Sequence, residues 1–416
     1  MKKTLLKSMV LLASTGLLLF SCSDESQTEI ENLENSIAVP ESEESVLFNQ
    51  GSYVIDGSYI IVFDQKVTGD VGAKFGSDYK SAKGAVKQLA TEILGTLQMK
   101  GDIIDHVYSK TLMGVSARMS PSDVAKLSGD DRIAYIEKDQ MFTLAPPPGK
   151  GPGGGGGGGG SAAQETPWGI ARVNGGTSYT GNNVAWIIDS GIESTHEDLN
   201  VDVSRGYNAF TNGPDSDLTV DNNGHGTHVA GTVAAIDNEI GVVGVAAGAT
   251  VIPVKVLDRR GSGSYSGVIA GIDFVAANAS NGDVANMSLG GGFSQAVNDA
   301  VINASSAVKF AIAAGNESSD ANGSSPASAN GNNIYTISAM SEGDIWASFS
   351  NYGNPPVDYC EPGVAIKSTW PGGYNTISGT SMASPHACGL LLLGNISNGG
   401  TVSGDPDGNA DTIGVN

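Results

Sequence analysis

Gly379-Thr380-Ser381-Met382-Ala383-Ser384-Pro385-His386 joins a glycine-punctuated approach, Thr376 to Gly379, to an apolar run, Ala387-Cys388-Gly389-Leu390-Leu391-Leu392-Leu393. A strand or loop that ends in glycine and feeds such a run delivers Ser381 to the N-terminus of a buried helix. The unpaired amides and the positive end of the helix dipole there favour developing negative charge. A serine so placed can attack a carbonyl, and its own N–H can help hold the oxyanion. Pro385 is expected in the first turn, where a missing N–H costs least. The same octapeptide also reads as a plain serine cap on a core helix, so the decision falls to the segments upstream.

Those segments alternate. From Thr166 onward, apolar strands are predicted at 183–189, 249–257, 284–289, 309–314 and 333–338, with helices between them at 226–236, 266–278 and 294–305. Continuous apolar strands separated by helices predict an α/β fold with a doubly wound, mostly parallel sheet. Functional groups then gather at the carboxyl ends of the strands. Asp189 ends the first strand. His225 follows in Asn223-Gly224-His225-Gly226-Thr227-His228. The pair His225 and His228 lacks the glutamate and the spacing of a zinc-protease helix. The flanking glycines instead leave the His225 ring accessible at a helix start, suited to a general base whose tautomer an acid fixes. Ala313-Ala314-Gly315-Asn316-Glu317 follows the fourth strand, and glycine before Asn316 lets its amide reach the site. Singly, each of these is an ordinary cap or turn. Together they make an acid, a base, a nucleophile and an oxyanion donor, read as Asp189, His225, Ser381 and Asn316.

Gly379 to His386 resembles the nucleophile motif of the subtilisin-like serine proteases, and the order acid, histidine, serine is theirs. Pro167-Trp168-Gly169-Ile170, Ala285 to Gly291 and Ala347 to Gly353 look most like the proteinase K and aqualysin branch. The resemblance implies a serine endopeptidase with no cofactor for catalysis. It implies that Gly261, Gly263, Ser288, Leu289 and Gly290 meet an extended substrate, making a short three-strand sheet. Tyr265 would flank the pocket for the fourth residue before the cut, and Glu317 would lie at the floor of the primary pocket. Asp358, with carbonyls of Asn332 and Ile334, matches a structural calcium site. Val229 and Glu361 depart from the branch's usual residues. Cys360 and Cys388 could pair in an oxidising compartment, but both sit in apolar contexts and the reading favours free thiols.

A smaller unit precedes this one. Strands are predicted at 59–63, 103–108, 113–119 and 132–139, with helices at 81–98 and after Ser120. The order βαββαβ is an antiparallel, ferredoxin-like α+β pattern. Gly114-Val115-Ser116-Ala117 and Tyr135-Ile136-Glu137-Lys138-Asp139 resemble the inhibitory propeptide (inhibitor I9 type) of the same proteases. The domain expectation is therefore a signal at 1–22, an acidic tether at 23–50, a propeptide domain at 51–145, a Pro/Gly-rich linker at 146–165 and a catalytic domain at 166–416. No role is read for the tail from Gly399 to Asn416.

Lys2, Lys3 and Lys7 precede an apolar core, Leu11 to Phe20, that is too short to span a membrane. Leu19-Phe20-Ser21-Cys22 looks like a lipoprotein cleavage box, with Cys22 as the lipidation site and a transient membrane anchor through the propeptide. The chain has 416 residues, 16% charged, and a formal net charge of −22, a balance that repels phosphates and excludes nucleic acid as a partner. The expected partners are protein or peptide substrates and the chain's own propeptide, as inhibitor and folding aid, on a monomer. Leu144 is the apolar residue expected at the first cut.

Overall fold

A computed structural model describes residues 47–48, 52–99, 103–144 and 163–416, and residues 45–416 form one compact unit. The expected signal, Cys22, nearly all of the tether and most of the linker lie outside the described residues.

Residues 52–143 supply four strands of a six-stranded antiparallel sheet. These four are β1 (Ser52–Phe63), β2 (Ile104–Tyr108), β3 (Gly114–Arg118) and β4 (Ile133–Thr143), in the order β4-β1-β3-β2. Helices α1 (Tyr79–Thr96) and α2 (Pro121–Leu127) cover one face. Ser120 caps α2 as expected, its Oγ accepting from Asp123 N at 3.3 Å. The apolar run Tyr59 to Phe63 splits by strand period. Tyr59, Ile61 and Phe63 face this unit's own core with Val86, Ala90 and Ile93 of α1. Ile60 and Val62 face the other way, into a cluster shared with the second half of the chain. A strand buried on both faces needs a partner layer beyond its own helices.

That layer belongs to an eleven-stranded sheet. Its parallel strands are β5 (Ala185–Asp189), β6 (Thr250–Lys255), β8 (Val284–Met287), β9 (Lys309–Ala313), β10 (Ile334–Ser341) and β11 (Val357–Pro362). The short β7 (Ser262–Ser264) lies outside this sheet and joins the first one. β5 pairs with β6 on one side and β8 on the other, so the strand order reverses at β5 and leaves a crevice at the carboxyl ends. Trp186 and Ile188 of β5 bury on one face, Ala185 and Ile187 on the other. Helix α3 (His225–Ala234) packs on one side of the sheet, α4 (Tyr265–Asn278) and α5 (Gln295–Ala304) on the other.

Two elements differ from expectation. Helix α6 (Thr380–Leu393) begins at Thr380, which puts Pro385 in its second turn rather than its first. A proline there leaves the carbonyl four residues back without its helical donor. That carbonyl is Ser381 O, and Ser288 Oγ donates to it at 2.7 Å. The tail, unread in the sequence, forms a hairpin of β12 (Ser397–Thr401) and β13 (Thr412–Val415), and β13 joins the parallel sheet beside β11. Cys360 and Cys388 are buried, unpaired and in separate clusters.

Candidate active site

Asp189 is the last residue of β5 and has no exposed surface. His225 is the first residue of α3, and its Nδ1 lies 2.9 Å from both Asp189 carboxylate oxygens. Gly226 allows this approach, since a Cβ there would lie 2.1 Å from Gly191 O. A Cβ on Gly224, at φ 99°, would strike the Trp370 ring at 2.4 Å. The glycines therefore serve close packing and not accessibility, and His225 is only 9% exposed. Burial pulls its pKa down, but the Asp189 charge and hydrogen bond, with Asp221 behind them, push it above the ordinary histidine value.

Asp221 is a residue that the sequence did not single out. It is 2% exposed. Its Oδ1 accepts from Ser190 Oγ at 2.9 Å, Asn223 N at 3.1 Å and Gly224 N at 2.9 Å. Its Oδ2 accepts from Thr227 N at 2.9 Å and Thr227 Oγ1 at 2.7 Å. One carboxylate thus ties the residue after Asp189 to the first turn of the helix that carries His225. The signal was an acid just ahead of a helix start, but it sits among Asp215, Asp217 and Asp221, which look alike in sequence.

Ser381 is the second residue of α6. Gly379, its N-cap, makes no side-chain cap. Ser381 Oγ donates to Ser288 O at 3.2 Å, reciprocating the bond from Ser288 Oγ to Ser381 O. Among the described residues no hydrogen bond joins Ser381 Oγ to His225; such contacts often form only with the reacting group in place. Asn316 Oδ1 accepts from Thr380 N at 2.8 Å and Thr380 Oγ1 at 3.0 Å, which fixes the amide and leaves Nδ2 as its free donor. Gly315 is at φ 107°, and a Cβ there would meet Asn351 Nδ2 at 2.3 Å. Asn351 braces this loop, donating to Ala314 O and Glu317 Oε2 and accepting from Glu317 N and Ser319 N.

Asn316, Glu317, Ser381, Leu289, Gly290 and Ala314 line one pocket together with Thr143 and Leu144, and Leu144 also packs beside Gly261. Leu144 N donates to Gly261 O at 2.9 Å. Upstream of it, β4 pairs with β7: Thr143 opposite Ser262, Phe142 opposite Gly263 and Met141 opposite Ser264. The Phe142 ring lies 5.3 Å from that of Tyr265, whose Oη donates to Gly292 O. Gly261, Gly263 and Tyr265 therefore meet an extended strand, and the strand is this chain's own. On its other edge, at Gln140 to Phe142, the same strand pairs with the start of β1.

Three acids fasten the smaller domain to the larger one. Asp139 accepts from Ser266 N and Oγ at the start of α4, and Glu137 from Ala296 N at the start of α5. Asp273, buried in α4, accepts from Ser109 N, Lys110 N, Thr111 N, Thr111 Oγ1 and Tyr79 Oη. Asp358 is an extra residue at the irregularity between β10 and β11, with Thr336 N donating to its Oδ2 at 2.9 Å. Among the described residues no group of three His, Cys, Asp or Glu side chains is arranged to hold a metal.

A doubly wound sheet that presents an acid, a histidine, a helix-borne serine and an amide at its carboxyl edge defines a serine-type hydrolase, with a strand of the same chain in its cleft. Residues 182–395 match the subtilase family and residues 58–145 match the peptidase inhibitor I9 family. An extracellular serine proteinase of Thermus sp. (strain Rt41A) is 37% identical over 379 residues, covering 86% of this chain and 85% of that protein. Proteinase T of Parengyodontium album is 47% identical over 273 residues, 62% of this chain and 84% of that one. The crystal structure of a cold-adapted subtilisin-like serine proteinase is 42% identical, with a TM-score of 0.48, over 54% of this chain and 83% of that one. The chain belongs to the subtilase family, and it is a serine endopeptidase carrying its own I9-type propeptide.

Proposed function

We propose that Asp189, His225, Ser381 and Asn316 carry the hydrolysis of peptide bonds. The single observation that supports this most is the 2.9 Å contact of His225 Nδ1 with Asp189. It leaves Nε2 as the base. His225 takes the proton as Ser381 Oγ attacks the carbonyl, and Asp189 stabilises the imidazolium. Asn316 Nδ2 and the Ser381 amide hold the oxyanion. His225 then gives the proton to the leaving amine, and water repeats the sequence on the acyl-enzyme. A fluorophosphonate should label the mature protein once, at Ser381; label on any other serine, or none, contradicts this reading.

The occupied cleft supports autoprocessing. In the resemblance, the pocket beside Tyr265 takes the fourth residue before the cut. Phe142 fills that pocket, which counts the cut to the bond after Ala145 and makes Leu144 the second residue before it. Leu144 at the cut itself and Tyr265 at the fourth position are incompatible, and the pairing of Phe142 with Gly263 supports the later site. Pro146 beyond that bond slows the reaction. The mature form then begins between Pro146 and Thr166. Glu317 gives the apolar primary pocket a tolerance for lysine and arginine beside large apolar residues.

Two finer readings stand with it. The basic n-region, apolar core and Cys22 support export as a lipid-anchored precursor, from which the cut sheds the enzyme. An active enzyme still starting at lipidated Cys22 would refute that. One carboxylate with backbone carbonyls is a hard-oxygen donor set that fits calcium, so Asp358 with Asn332 and Ile334 would hold a structural ion. Equal melting temperatures in chelator and in millimolar calcium would end it.

A further inference from the structure

The strand in the cleft does not lie there alone. While one edge of β4 pairs with β7, the other pairs with the start of β1: Ser52 opposite Phe142, Tyr53 opposite Met141 and Val54 opposite Gln140. These residues precede the stretch that matches the inhibitor family, 58–145. A register shift sets them apart, because after Val54 the next paired residue of β1 is Tyr59, opposite Lys138. Gly57, at φ 70°, carries the backbone through that step. Leu47–Phe48 then folds back antiparallel on Ser52 and Tyr53. The contact does not stop at β4. Ser52 is 1% exposed, and its Oγ accepts from Gly292 N at 3.2 Å. A Cβ on Gly291 would lie 3.3 Å from Ser52 Cβ and 3.0 Å from Phe142 Cβ. Glycine at 291 is what lets both strands lie against the rim of the cleft.

We propose that residues 52–54 are an inhibitory strap with a docking site of their own at Gly291–Gly292, so that the cleft holds a two-stranded ribbon. This rests on the reading of the smaller domain as the inhibitor. A single inhibitory strand paired only with β7 leaves its second edge unpaired, and unpaired edges exchange readily with competing strands. The strap closes that edge and buries Ser52 against the enzyme. Cutting the chain beyond Leu144 frees one end of β4 but not the strap, which holds β4 through β1. Release then requires both strands to peel from the rim together.

The test uses the full-length precursor with residues 47–54 deleted. The delay before proteolytic activity appears should shorten about tenfold, the scale of losing three strand pairs and one hydrogen bond. The kcat/KM of the matured enzyme should not change, since the strap leaves with the propeptide. A delay equal to that of the intact precursor overturns the proposal. Hydrogen exchange on the intact-length Ser381→Ala precursor decides the matter even if the deletion does not fold. Residues 52–54 and 140–142 should exchange slowly and together. Exchange of 52–54 at the rate of an unpaired chain, with 140–142 still protected, overturns the strap. An intact precursor that is active from the outset counts against the inhibitor reading instead, and the exchange result still decides the strap.

Discussion

Helices α3 and α6 begin on glycine, and α4 and α5 begin on serine. Gly224 and Gly379 make no side-chain cap. Ser264 and Ser294 each accept from the amide three residues on. The difference continues outside the helices. The first turns of α4 and α5 also receive Asp139 and Glu137, acids of the propeptide that depart with it. The first turns of α3 and α6 receive Asp221 and the Asn316 side chain, which stay with the enzyme. A serine cap would place a side chain over the first turn. At Gly224 that space is taken by the Trp370 ring and at Gly379 it adjoins the Asn316 amide, and the free amides are satisfied from loops of the same domain. One pair of helix starts is built for chemistry, the other as detachable docking points.

This contrast can be broken at either end. Outside the triad, the largest effect belongs to Asn316→Ala. Losing one oxyanion donor should lower kcat about 10²–10³-fold with little change in KM; a loss in KM alone would show that Asn316 binds substrate and not the oxyanion. Asp221→Asn comes next. With the tie between Ser190 and α3 weakened, kcat should fall about tenfold, the cost of loosening a charged hydrogen-bond network. The acid limb of kcat/KM should also move to lower pH. The sign follows from the base: His225 works when neutral, Asp221 helps hold its pKa up, and removing that charge lets the ring deprotonate at lower pH. A merely structural role would reduce the fraction of sites labelled by fluorophosphonate and leave the pH profile of the remainder in place.

Asp139→Ala addresses the other pair. Loss of an acid cap on α4 should weaken the hold of the propeptide by about 1 kcal/mol and shorten the delay before activity. The matured enzyme should be unaffected, because the acid is no longer there. A fall in mature kcat/KM would erase the distinction between the two kinds of helix start. The smallest expected effect is in specificity. Glu317→Gln should lower the ratio of cleavage after lysine or arginine to cleavage after aromatic residues by a few fold, since attraction in a wet pocket is modest. An unchanged ratio removes Glu317 as a determinant.

What the sequence made legible follows the same division. Asp189, His225, Asn316 and Ser381 each stand next to a strand end or a glycine, but period and punctuation alone leave each an ordinary cap or turn, and it was the resemblance of Gly379 to His386 to a known nucleophile motif that singled the four out. The parallel sheet was legible because Val184 to Ile188 and Val251 to Val254 are apolar without interruption, as strands buried on both faces must be. Asp221 and Asp273 were not. Each is an acid in a polar or helical stretch, and only the folded chain brings Ser190 or the 109–111 loop to it. Pro385 was misplaced by one turn because its compensation, Ser288 Oγ on Ser381 O, comes from a distant segment, the residue just after β8. The hairpin of β12 and β13 escaped because Gly399 to Asn416 is rich in Gly, Asp and Asn and has no apolar run beyond Thr412 to Val415. The strap escaped for a similar reason: the Asp56-Gly57-Ser58 break reads as the start of a strand rather than a step within one.

The most direct test of the account is the full-length Ser381→Ala protein. The propeptide strand lies in the cleft of the same chain, so one serine should carry both hydrolysis of substrates and the cut in the 144–166 region. The account expects no peptide hydrolysis and an uncut precursor with the propeptide still bound, and it expects cleavage in that region once a trace of active enzyme is added. Normal mature protein accumulating from Ser381→Ala expressed alone would contradict it.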